Sequence, residues 1–240
     1  MGLLRRWRKQ TAGRRCTAVV AAAGSSRRMG TDKLLMPLGE VPVLIRTLRA
    51  LENSEDIDEI IVVTRQDLIV PVSQLIKDAD LGKVSKVVAG GESRTASVLN
   101  GVREAAEESD LIAIHDGARP LVTGRIIRQA VLKAGERGAA APAVPVKDTL
   151  KRAVDGVVVE TPDRSQLFAV QTPQVFEHGL ILGALEKAME DGAELTDDCA
   201  AVERIGMTVC LTEGSYENLK LTTPEDIAVA ERILERRGQL

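Results

Sequence analysis

The chain predicts an α/β fold, a mostly parallel sheet with helices on both faces, and two observations carry that reading. Short apolar runs alternate with stretches of helical periodicity from residue 16 onward. The runs are almost continuously apolar, as strands buried on both faces are. At 240 residues, 44% hydrophobic and 28% charged, the chain can bury a sizeable core, and no internal repeat or low-complexity linker divides it. A single domain over 16–240 is expected, preceded by a basic tail over 1–15 that is frayed and solvated.

Taken in order, the strand-like runs are CTAVVAA (16–22), DEIIVVT (58–64), KVSKVVA (83–89), DLIAIHD (110–116), AAAPAVPV (139–146) and MTVCLTE (207–213). Helical periodicity lies near 42–52, 66–79, 94–108, 123–137, 177–191, 197–205 and 224–237. The stretch 147–174 breaks the alternation. Its Asp155-Gly156 pair sits between the β-prone TLKRAV and VVVET, a strong hairpin signal. No helix is there to cover it. The hairpin is therefore expected to project as an arm at about 147–172 and, being marginal alone, to pack against another subunit.

Net charge is -3 and aromatics are 2%. There is neither the basic field nor the stacking surface of a nucleic-acid binder, so no nucleic-acid partner is expected. Cys16, Cys199 and Cys210 are odd in number and lack C-x-x-C spacing. They read as small buried side chains in a reducing compartment, the cytoplasm, and not as a disulfide framework or zinc site. No apolar stretch is long enough to cross a bilayer, and no membrane partner is expected. The tail MGLLRRWRKQTAGRR lacks the apolar segment of a signal peptide; Leu3, Leu4 and Trp7 offer only a weak amphipathic anchor.

In open parallel sheets ligands bind beyond the carboxyl ends of the strands. The loop AAAGSSRRMGTDK follows the first run and combines tiny residues with charge of one sign. Ala22, Ala23 and Gly24 let a ligand approach backbone N–H groups, while Arg27, Arg28 and Lys33 are cationic donors for a polyphosphate. The loop fits neither G-x-G-x-x-G nor the Walker pattern. A solvated turn would need neither the small residues nor the charge, so the loop reads as functional.

AGGESRTASV repeats the logic after the third run: Gly90 and Gly91 make a tight turn, and Ser93, Arg94 and Ser97 open a helix whose N-terminus favours anions. A plain capped turn accounts for it equally well. In HDGARP, Asp116 suits a divalent cation beside phosphates, with an N-cap or a pair with Arg119 as the plainer account. His115 reads as a buried structural imidazole. Arg164 by itself reads as solvated. Thr196 and Asp197 fit a helix N-cap. Lys220, expected in a short strand between Asn218 and Thr222, is either an edge-strand gatekeeper or part of a cationic site.

In order, AVVAAAGSSRRMG, GGESRTASV, HDGARP, PVKDTLKRA, DRSQLFAVQTPQVF, LTDD and ENLKLTTPEDIAVAE resemble the 2-C-methyl-D-erythritol 4-phosphate cytidylyltransferases of the non-mevalonate isoprenoid pathway. The resemblance spans essentially everything after residue 15. The first loop is shared by many sugar and alditol nucleotidyltransferases, whereas the arm motif with QTPQ and the lysine of NLKLT are far more specific.

The resemblance implies a Rossmann-like nucleotidyltransferase fold, a homodimer interlocked through the arms, Mg²⁺ or another divalent cation as cofactor, and CTP and an alditol phosphate as substrates. By position, Arg28 and Lys33 would stabilise the transition state on the triphosphate. Arg164, from the neighbouring subunit's arm, and Lys220 would hold the acceptor phosphate. Ala22, Ala23, Gly24, Gly90, Gly91 and Ser97 would form the nucleotide pocket with Asp116 near the metal. Arg119, Thr149, Thr172 and Thr196 would line the acceptor side. Both reactants are anionic, so preorganised Arg, Lys and Mg²⁺ suffice and no covalent nucleophile is required. Leu34 and Leu35 after Lys33 depart from the glutamine and aromatic common in the family. The alternatives are a ribitol-5-phosphate cytidylyltransferase, which shares most of these motifs, and a catalytically idle nucleotide-binding protein of the same fold.

Overall fold

The computed structural model describes residues 13–24 and 34–240. The first half follows the predicted alternation. Strand β1 (Arg15–Ala22) is followed by a two-residue ribbon, β2 (Pro37–Leu38) with β3 (Val41–Pro42), and by helix α1 (Val43–Glu52). Next come β4 (Glu59–Thr64), a 3-10 turn into α2 (Ile69–Asp78), β5 (Val84–Ala89), α3 (Arg94–Arg103) and β6 (Ser109–Asp116). The second half runs α4 (Gly124–Arg137), β7 (Ala139–Pro145), β8 (Arg152–Val154), β9 (Val157–Glu160), β10 (Phe168–Val170) and β11 (Gln174–Glu177). It closes with α5 (His178–Glu190), α6 (Cys199–Arg204), β12 (Cys210–Glu213) and α7 (Pro224–Arg236).

Strands β5, β4, β1 and β6 lie side by side and parallel. Beyond β6 comes β11, antiparallel to it and to β7. Ala140 pairs with Val175 on one side and Cys210 on the other, and Ala143 with Val170 and Glu213. Thus β11 and β10 follow one another along one edge of β7, and β12 runs parallel on the other. This is a mixed sheet with a parallel majority.

Alternation along the strands divides the core into two layers. Ala18, Val20, Ile60, Val62 and Ala113 pack with Leu44 and Leu48 of α1, Ile127 of α4 and Ala230 of α7. Val19, Val63, Ile112 and Ile114 face the other way, against Val98 of α3 and Ile181 of α5. Burying each valine, leucine or isoleucine among them contributes about 1.5–3 kcal/mol. Gly101 lets α3 approach closely: a Cβ there would lie 2.5 Å from both Val19 Cγ1 and Val63 Cγ2.

Three expectations are revised. The projecting hairpin comprises β8 and β9, turning through Asp155 (φ 49) and Gly156 (φ 78), the doubly left-handed turn that Asp-Gly favours. Its return ends sooner than residue 172, because Phe168–Val170 already pair with β7. Second, residues 218–222 form no strand; Leu221 N–H donates to Ala118 O at 2.8 Å without continuing into a strand ladder. Third, of the tail, residues 1–12 lie outside the described residues, while Arg14 donates to Gly135 O and Arg15 opens β1.

Candidate active site

The carboxyl ends of β1, β5 and β6 open on one edge of the sheet, and there the chain forms a cavity of about 460 Å³. Ala21, Ala23 and Gly24 line it from β1 and its exit, Gly91 to Arg94 and Ser97 from the turn into α3, and Asp116, Ala118 and Lys220 from the opposite side. The wall at Gly90 is tight: an added Cβ would sit 2.5 Å from Ala23 Cβ and 2.8 Å from Ser97 Oγ. The Ser97 hydroxyl accepts from Gly91 N–H at 3.0 Å and donates to Ser93 O at 2.8 Å, while Ser93 caps the helix through Ala96 N–H. Turn and helix start are thereby one rigid unit.

Asp116, the last residue of β6, is the most heavily engaged carboxylate at the cavity. Oδ2 accepts from Arg119 Nε at 3.0 Å, and Oδ1 lies 3.1 Å from Lys220 Nζ. Burial would raise its pKa, but Lys220 and Arg119 outweigh that and hold the carboxyl down at about 2. The Arg119 fork also donates to Asn218 O at 2.8 Å, so the 116–119 turn carries the segment that presents Lys220. Behind Asp116, Thr172 Oγ1 accepts from Asp116 N–H at 3.1 Å and meets His115 Nδ1 at 3.0 Å. His115 Nε2 meets the carbonyl of Arg119 at 3.2 Å. That carbonyl can only accept, so Nε2 carries the proton and Nδ1 accepts from the threonine hydroxyl. Burial keeps the ring neutral, its pKa lowered to about 4.

A second ion pair crosses the molecule beside the cavity. Arg94 donates from Nη1 and Nη2 to the two oxygens of Asp198, at 2.9 and 2.6 Å. Burial pushes the Asp198 carboxyl up against the pull of Arg94. Gln174 pins the same loop: Oε1 accepts from Asp198 N–H and Cys199 N–H, and Nε2 donates to Asp197 Oδ2. Asp197 Oδ1 accepts from Ala200 N–H, supplying the cap expected for the 197–205 helix.

Of the residues singled out in the sequence, Ala23, Gly24, Gly91, Ser97, Asp116 and Lys220 meet at the cavity. Ala22 does not: strand alternation turns its side chain into the core, and Ala21 lines the cavity instead. Gly90 stands behind the wall as a spacer. Thr172 is buried with its hydroxyl committed to Asp116 and His115, and Arg119 braces Asp116. Thr149 and Thr196 are exposed in loops, and Arg164 on the arm side donates to Lys147 O at 3.1 Å. Arg27, Arg28 and Lys33 lie outside the described residues. Sequence reasoning missed Asp198, because adjacent aspartates carry no mark of which one will be buried.

Residues 16–236 match the family model described as IspD, 2-C-methyl-D-erythritol 4-phosphate cytidylyltransferase. A protein of that name from Desulforamulus reducens is 46% identical over 92% of this chain and 96% of its own length. One from Caldanaerobacter subterraneus is likewise 46% identical, over 92% and 99%. Among solved structures, a 4-diphosphocytidyl-2C-methyl-D-erythritol synthase from Anaerococcus prevotii superposes with a TM-score of 0.85 at 31% identity, covering 95% of this chain and 99% of that one. The 2-C-methyl-D-erythritol 4-phosphate cytidylyltransferase of Thermus thermophilus gives 0.76 at 30% identity, over 91% and 98%.

Proposed function

This chain belongs to the 2-C-methyl-D-erythritol 4-phosphate cytidylyltransferase family, and we propose how its residues divide the work of that reaction. It is a nucleotidyltransferase that transfers the cytidylyl group of CTP to 2-C-methyl-D-erythritol 4-phosphate in isoprenoid biosynthesis.

CTP fills the cavity between the Gly90–Gly91 turn and Asp116. The observation that carries this is the Asp116–Lys220 pair, 3.1 Å apart, on the cavity side opposite a turn with no room for a side chain. A close-fitting wall of main chain and small residues admits a pyrimidine and leaves a purine no space. Asp116 would hold a divalent cation. Its oxygens are engaged by Arg119 Nε and Lys220 Nζ, each keeping a further lone pair for an ion, and Mg²⁺ bound through phosphates needs only one or two carboxylates. Among the described residues no larger ligand cluster exists. The ion, when bound, neutralises phosphate charge.

The reaction joins two anions, and the chain's cations are what make it feasible. Arg28 and Lys33 act on the triphosphate and the departing pyrophosphate. Lys220 and Arg164 hold the acceptor phosphate, with Thr149 and Thr196 beside them. Positioned charge of this kind lowers the barrier without a covalent intermediate.

Arg164 belongs to the base of the arm, and we read it as acting in the neighbouring subunit. Val154, Val157, Val158 and Val159 of the hairpin are about half exposed or more, alongside Leu150, Phe168 and Val170. Exposed apolar side chains gathered on the hairpin and its base suit a second copy of the chain. The free cysteines fit a reducing, cytoplasmic setting.

The deciding assay is pyrophosphate release from CTP with 2-C-methyl-D-erythritol 4-phosphate, beside ribitol 5-phosphate as acceptor and GTP or ATP as donor. Turnover is expected with the first acceptor and with CTP. Equal rates with GTP or ATP would remove the pyrimidine pocket from the reading, and preference for ribitol 5-phosphate would remove the acceptor.

A further inference from the structure

We propose that Arg94 is a positioning residue: gripped by Asp198, it sets the distance between the turn that holds the nucleotide and the loop that holds the acceptor. The inference rests on the reading that CTP fills the cavity.

The two partners are 104 residues apart in sequence, so the pair joins otherwise separate parts of the chain. Arg94 is the first residue of α3, immediately after its capping serine, and lines the cavity with its side chain 32% exposed. Asp198 is only 1% exposed and does not touch the cavity. It lies two residues after Thr196. Both ends are rigid. Ser93 and Ser97 fix the turn on one side, and Gln174 fixes the 197–199 backbone on the other.

A buried ion pair is a poor source of net stability, since desolvation offsets much of the attraction. A planar two-bond fork nevertheless fixes both distance and angle, which an apolar contact or a lysine cannot do. Here it fixes the 90–94 turn against the 195–198 loop. The charge of Arg94 also acts on Asp116, among the cations that depress its pKa.

The test uses the full chain with CTP and 2-C-methyl-D-erythritol 4-phosphate. Asp198→Glu keeps the charge and the pair, but one added methylene shifts the turn relative to the loop. Arg94→Lys keeps the charge and loses the fork. For each variant, melting temperature, calorimetric CTP binding without acceptor, and KM for both substrates are measured.

Both variants are expected to fold with KM raised for both substrates, and kcat/KM lowered about 10- to 100-fold, the scale of a misplacement approaching 1 Å. The double variant should be no worse than either single, because both sever one link. If the variants lower only the melting temperature and leave both KM values within about twofold of wild type, the pair is a stability element and the proposal fails. A rise in KM for CTP alone overturns it as well, because Arg94 is then a simple nucleotide contact. Failure of the wild-type protein to bind CTP would remove the site reading together with the proposal, whereas the first two failures leave that reading standing.

Discussion

Replacing Gly90 with alanine puts a methyl group where the cavity wall has no room for one. The new Cβ would lie 2.5 Å from Ala23 Cβ and 2.8 Å from Ser97 Oγ. Ala23 has no rotamer to retreat into. The Ser97 hydroxyl can turn away, but only by giving up its bonds to Gly91 N–H and Ser93 O. Overpacking costs about 1–3 kcal/mol and each of the two lost hydrogen bonds about 1 kcal/mol, against about 0.4–1 kcal/mol returned by the stiffer unfolded chain. The net is a loss of about 2–5 kcal/mol, read from urea denaturation. Ala23 and Ser97 both line the cavity, so the displacement also narrows the nucleotide site. CTP affinity by titration calorimetry should fall about tenfold or more. A variant that is destabilised as stated yet binds CTP like wild type would show that this turn does not contact the nucleotide.

Gly101→Ala is the matched control: its Cβ meets Val19 and Val63 in the core. Overpacking should exceed the roughly 1 kcal/mol gained in helix propensity, lowering the melting temperature with both KM values unchanged; an altered CTP KM would refute the separation of core from site. Asp116→Asn should cost about 2 kcal/mol at pH 7, because Asp116 is held at about 2, below the ordinary 3.8. A depressed carboxyl stabilises the fold above pH 3.8 and loses that contribution as pH falls toward 2, so the wild-type advantage should drop to about half by pH 3. A difference independent of pH in denaturant titrations would show that the carboxylate charge is not what is held. Lys33→Ala should lower kcat about 10²–10³-fold, and Arg164→Ala should raise the acceptor KM. Mixing the two impaired variants at an acceptor concentration far below the KM of Arg164→Ala should raise activity above either alone through a heterodimer with one intact site, and a mixture with no gain after proven subunit exchange rules out a shared site.

The parallel strands were legible because each is a near-continuous apolar run, and the hairpin because Asp-Gly prefers the left-handed turn at 155–156. β10 and β11 were not. LFAVQTPQVF is interrupted by Gln171, Thr172 and Gln174, whose burial makes sense only with partners at 115–116, 197–199, 215 and 218. The segment around Lys220 read as a strand for the opposite reason: its local pattern was right, but the chain there is held by Ala118 and Arg119 rather than by a ladder.

From the sequence by itself came the layered α/β fold, the edge of the sheet where the cavity opens, and the residue types that gather there. Hydrophobic periodicity and turn chemistry are local and survive without knowledge of neighbours. Tertiary structure alone decided that Ala21 rather than Ala22 faces the cavity, that Thr172 and Arg119 brace Asp116, and that Asp198 rather than Asp197 meets Arg94. A polar group is buried only where a partner satisfies it, and these partners come from segments as much as 104 residues away.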